Sequence, residues 1–115
     1  MDYKSQILTE DFFKGDYHGS GDFFLSGKFV GGMTIDNLVI QERGEFLGKI
    51  VAKSIIVEGI LKADVEVDKI HIKGNGIVDG ELLYRNLIIE EGGSLKSLKV
   101  IKMSDTKAVK KFKSL

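Results

Sequence analysis

The side chains of this 115-residue chain best suited to proton transfer or metal ligation are two histidines, His18 and His71, and three alternating acids, Asp64, Glu66 and Asp68. His18 falls on the outward side of an alternating pattern, whereas His71 is the middle residue of the triplet "IHI" in a later repeat, so the two do not converge on one metal ion. The acids lie at i, i+2 and i+4, which puts them on one side of a strand. Such a row could attract a divalent cation. However, Lys49, Lys53 and Arg85 recur in adjacent repeats, and a solvated face of paired charges is the stronger reading. The tetrads "KGNG" and "EEGG" lack the Lys-Ser/Thr pair and the following helix of a phosphate loop. With no cysteine there is no thiol nucleophile, disulfide or thiolate metal site. The chain is therefore not expected to be an enzyme, and no catalytic, cofactor or metal site is expected in it.

The bulk properties agree. Seventeen basic and seventeen acidic residues cancel, so the charge does not argue for nucleic acid as a partner. The start "MDYKSQILTEDFF" is broken by charge and lacks the pattern of a signal peptide, and there is no apolar run near the length of a membrane span. A cytoplasmic chain is expected. Fourteen glycines, no proline and many Val, Ile, Leu and Phe residues indicate short strands broken by glycine turns.

What must position these residues is a repeat. Six decamers align: "FFKGDYHGSG" from Phe12, "KFVGGMTIDN" from Lys28, "EFLGKIVAKS" from Glu45, "ILKADVEVDK" from Ile60, "IVDGELLYRN" from Ile77 and "SLKSLKVIKM" from Ser94. Their fourth column is always small: Gly15, Gly31, Gly48, Ala63, Gly80 and Ser97, spaced 16, 17, 15, 17 and 17 residues apart. The second column is always large and apolar, from Phe13 and Phe29 to Leu95. The sixth runs from Tyr17 through Met33, Ile50, Val65 and Leu82, then fails at Lys99. Even columns face inward with the period of two that a strand imposes. Between decamers lie the triplets "FFL", "LVI", "IIV", "IHI" and "LII", each followed by a turn of two or four residues that ends in glycine, as expected where a corner needs positive φ.

A unit of 15 to 17 residues cannot bury its own apolar face and must stack on copies of itself. Same-direction stacking puts identical columns in register, and the outward columns support it. Column nine reads Asp36, Lys53, Asp68, Arg85, and column three reads Lys62, Asp79, Lys96, both alternating in sign from coil to coil. The expected fold is all-β: a single-domain parallel β-helix of about six coils over residues 12–103. At a spacing of about 4.8 Å per layer it would be roughly 30 Å long. A short tail, 1–11, precedes it and a basic tail, 104–115, follows.

Coils of this size, with "GEFLGKIVAKSIIVEGILKADVEV" and "GIVDGELLYRNLIIEEGGSLKS", resemble the bactofilins, bacterial cytoskeletal proteins built as a compact right-handed β-helix. The resemblance implies a right-handed helix and nucleotide-free, end-to-end polymerisation into filaments. It also implies a location at the inner face of the cytoplasmic membrane, where such scaffolds influence cell shape and cell-wall enzymes. Bactofilin tails are commonly proline-rich, and this chain has no proline.

Edge chemistry points the same way, because an uncapped solenoid end is a template for another chain. Phe12, Phe13 and Tyr17 at one end and Leu95, Leu98 and Ile101 at the other are the expected end-to-end contacts, unless the terminal segments fold over them. The middle residues of the triplets, including Val39, Ile56 and Ile88, should form an outward apolar ridge for lateral or partner contact. In the tail, Lys107, Lys110, Lys111 and Lys113 surround Phe112. That segment is either a solubilising tail or coil cap, or a contact with an anionic membrane or a partner. A polymerising scaffold is the leading function. A monomeric β-helix serving as a binding module for a cell-wall or membrane-bound enzyme is the alternative.

Overall fold

The computed structural model describes residues 4–7, 12–96 and 99–103. Among these residues ten strands form one sheet in which every pairing is parallel. The central coils are single long strands, β4 (Lys28–Ile40), β5 (Glu45–Val57) and β6 (Ile60–Ile72). Earlier coils are split into β1 (Lys4–Ile7), β2 (Phe12–His18) and β3 (Asp22–Leu25). Later ones are split into β7 (Ile77–Asp79), β8 (Glu81–Ile89), β9 (Ser94–Leu95) and β10 (Lys99–Lys102). The decamers stack in the expected register, Phe13 on Phe29, Phe29 on Phe46, Phe46 on Leu61, Leu61 on Val78 and Val78 on Leu95. Six layers thus make a β-solenoid of about five turns. Segment 1–11 contributes a strand of its own, since β1 lies on β3.

Burial follows the columns. Met33, Ile50, Val65 and Leu82 are inward and buried, as are Ile35, Ala52 and Val67. The alternation slips by one at Asp36-Asn37, Lys53-Ser54 and Asp68-Lys69, where two successive residues turn outward and the strand bends into its triplet. Beyond the bend Leu38, Ile55 and Ile70, then Ile40, Val57 and Ile72, return to the core. Phe13, Phe29 and Phe46 stack face to face at 4.7 and 4.9 Å between ring centroids, and among the described residues no polar or charged side chain is buried. At roughly 1.5 to 3 kcal/mol for each fully buried large apolar side chain, this column core is the main stabilising term.

Two expectations are corrected. Positive φ occurs at Gly15, Gly31, Gly48 and Gly80 of the small column and at Gly21, Gly74 and Gly92, but not at the turn-ending glycines Gly44, Gly59 and Gly76. Those are glycine because the coils approach too closely for a side chain. A Cβ on Gly44 would lie 2.3 Å from the Leu25 carbonyl oxygen, and one on Gly76 2.2 Å from that of Val57. The second correction concerns the last coil. Leu95 keeps register with Val78, but Lys99 pairs with Glu81 and Val100 with Leu82, so one extra residue enters between them. Val100 therefore continues the sixth column in place of Lys99, and Ile101 moves onto Leu83 in the outward seventh column. The slip keeps a lysine ammonium from being laid over the core, where desolvating its charge would be costly.

Candidate assembly surfaces

At the first layer β2 pairs only with β4 among the described strands, so its other edge is open. Phe12 is 62% exposed, and Phe13, 36% exposed, stacks one ring face on Phe29. Tyr17 is half-buried and meets Phe23 edge-on at 5.0 Å. Phe23 itself is buried, in the strand that β1 overlies.

At the other end β9 and β10 cover β7 and the first half of β8. Leu95 and Ile101 are partly exposed in this last layer. The second half of β8 has no described strand beyond it: Ile89, which continues the column of Ile72, is 45% exposed, and Val100 is 39% exposed. Val100 belongs to the last coil expected to form this end, whereas Ile89 is an addition to it. The signal for Ile89 in the sequence is its place as the final member of an inward column. Leu98 and the tail residues Lys107, Lys110, Lys111, Phe112 and Lys113 lie outside the described residues.

The lateral surfaces carry the expected charge ladder. The Lys53 ammonium lies 3.6 Å from the Asp36 carboxylate and the Arg85 guanidinium 3.3 Å from that of Asp68. Asp68 is thus engaged by a cation of the next coil, and Lys49 lies beside Asp64 in register. The Gly21 N–H donates to the Asp36 carboxylate at 3.0 Å. That bond, aided by the charge of Lys53 and partly opposed by desolvation, holds the Asp36 pKa below the usual carboxylate value.

Outward from the triplets, Phe24, Val39, Ile56, His71 and Ile88 stack in one column. Phe24, Val39, Ile56 and His71 are half-buried, and Ile88 is 55% exposed. His71 interrupts the apolar column and meets the Glu90 carboxylate at 2.5 Å through Nε2. His18 is exposed in β2, on a different face.

Among the described residues the chain is thus a parallel solenoid with open terminal edges and an apolar lateral column. The family model for bactofilin, described as polymer-forming cytoskeletal, matches residues 5–98, and the chain belongs to that family. The fold is that of a Thermus thermophilus bactofilin solved by cryo-EM reconstruction of double helical filaments. The two share 19% identity at a TM-score of 0.74, over 83% of this chain and 98% of the other. No curated protein matches this chain. The chain is a polymer-forming cytoskeletal protein, of a structural family.

Proposed function

We propose that subunits of this chain join end to end, without nucleotide, into cytoskeletal filaments, two of which wind together as those of the Thermus relative do. The observation that supports this most is the pair of open terminal layers. Each ends in a strand edge with no described partner, backed by Phe12 and Phe13 at one end and by Leu95, Val100 and Ile89 at the other. Stacking one subunit on another would pair the edges and cover the side chains together. Tyr17, Leu98 and Ile101 would complete these contacts.

The filament would lie at the inner face of the cytoplasmic membrane and organise cell-wall enzymes, and through them cell shape. The basic tail supports this location. Lys107, Lys110, Lys111 and Lys113 would each contribute about 1 kcal/mol near an anionic surface. Phe112 would add a small apolar contact. One tail is a weak anchor, but many along a filament act together.

Negative-stain electron microscopy of the purified protein in nucleotide-free buffer tests the end-to-end assembly. Filaments are expected, and Phe13→Asp should convert them into a folded subunit that sediments as a small particle. Filaments that persist in both Phe13→Asp and Leu95→Asp would refute assembly through the ends.

A further inference from the structure

We propose that the face built from the triplets is the surface through which two filaments of this chain pair, each subunit docking on a second copy of itself. This rests on the end-to-end filament proposed above and assigns its lateral contact to particular residues. The other outward columns are more polar. Column three holds Lys14, Lys62, Asp79 and Lys96, column five holds Asp16, Lys49, Asp64 and Glu81, and column seven, where Val51, Leu83 and Ile101 are apolar, is broken by His18, Thr34 and Glu66. The triplet face instead presents Phe24, Val39, Ile56 and Ile88 in one in-register stack, interrupted only by His71.

The polar groups beside that stack are already tied to one another. The Asn37 amide donates to Asp22 at 2.8 Å, the Ser26 hydroxyl bonds to Gln41, and His71 is bonded to Glu90. Covering groups whose hydrogen bonds are internal strips away fewer bonds to water than covering free ones. Charges of both signs flank the column, Lys69 on one side and Glu58, Lys73 and Glu90 on the other, so two copies of the face are not forced to repel.

The size of the face determines how it is used. Five levels about 4.8 Å apart make a strip roughly 20 Å long. At side-chain width that is on the order of 200 to 300 Å², far below the roughly 800 Å² per partner of a stable interface. Single subunits therefore do not pair by this face. Once joined end to end, each subunit adds one aligned weak contact, and the filaments zip together by avidity. Pairing is a property of the polymer.

Mass per unit length by scanning transmission electron microscopy tests the proposal. Wild-type filaments should measure double, and the variant Ile56→Lys/Ile88→Lys should give filaments of about half that value, as should the milder Val39→Ala/Ile56→Ala/Ile88→Ala. A Val51→Lys control on the face between the small column and the bend should leave the value unchanged. Unchanged mass per length in both triplet variants would overturn the assignment, and so would loss of all filaments by a variant that stays folded. Unpaired wild-type filaments would overturn the pairing while leaving end-to-end assembly intact, whereas absence of wild-type filaments would refute assembly itself. The end-defective Phe13→Asp subunit should remain monomeric with its triplet face intact. A lateral dimer there would contradict the dependence on polymerisation.

Discussion

Three glycine-to-alanine replacements separate two reasons for glycine in this solenoid. Gly48 has φ +132° and a Cβ there would sit 1.9 Å from the Gly31 carbonyl oxygen. Gly74 has φ +55° with nothing within 4 Å of its Cβ position, and Gly76 has ordinary φ but meets the Val57 carbonyl oxygen at 2.2 Å. At Gly48 both penalties apply. A backbone region essentially reserved for glycine costs about 1 to 3 kcal/mol. Moving two coils apart by more than 1 Å would break one or two ladder hydrogen bonds at roughly 0.5 to 1.5 kcal/mol each. The sum is about 1.5 to 6 kcal/mol for Gly48→Ala, against about 1 to 2 kcal/mol for Gly74→Ala, whose cost is conformational alone. Gly76→Ala should fall between them. Urea unfolding followed by circular dichroism, at matched protein concentration, reads the three directly. For a domain of this size the Gly48 change corresponds to a fall in Tm of roughly 10 to 30 °C. Gly48→Ala within about 0.5 kcal/mol of wild type, or Gly74→Ala costing more than Gly48→Ala, would refute the reasoning.

Further outcomes follow from the columns and the tail. Phe46→Ala removes the inner end of the aromatic stack, where Phe46 and Phe29 lie 4.9 Å apart and nearly parallel, and should cost about 3 to 5 kcal/mol in the same urea assay. Lys53→Ala should cost less than about 1 kcal/mol, with the difference shrinking further at high salt. Because the folded-state pKa of Asp36 is lowered, its carboxylate contributes stability above its unfolded pKa and loses it as pH falls through the folded value. The urea midpoint of Asp36→Asn should therefore lie below that of wild type at neutral pH and converge with it in strong acid. Deleting residues 104–115 should abolish co-sedimentation of filaments with vesicles containing anionic lipid while leaving filaments intact. Equal binding without the tail would remove it as the membrane contact.

Much of this architecture was legible because a parallel solenoid writes its register into the sequence. The small column from Gly15 to Gly80, the phenylalanines at 13, 29 and 46, and the alternation of Asp36, Lys53, Asp68 and Arg85 make sense together only if each coil lies on the last in the same direction. The structure forms the Lys53–Asp36 and Arg85–Asp68 pairs accordingly. Other features were not legible, for physical reasons. Glycine is the same letter whether it is required by positive φ, as at Gly74, or by a neighbouring carbonyl, as at Gly76, so the sequence does not separate the two causes at the turn-ending glycines. The extra residue before Lys99 occurs in a terminal layer, where no following coil repeats the register and exposes the slip. Strand β1 precedes the first decamer and carries no small-column residue to mark it. The ridge Phe24, Val39, Ile56 and Ile88 could be read from the triplets, because three consecutive apolar residues cannot all face inward on a period of two.

The central claim is that subunits continue one another's sheet along the solenoid axis. X-ray diffraction from aligned filaments tests it most directly, since strands stacked along the filament repeat at about 4.8 Å in that direction. Growth through the ends predicts a 4.8 Å reflection on the meridian, and the same reflection on the equator would mean that subunits assemble through their sides.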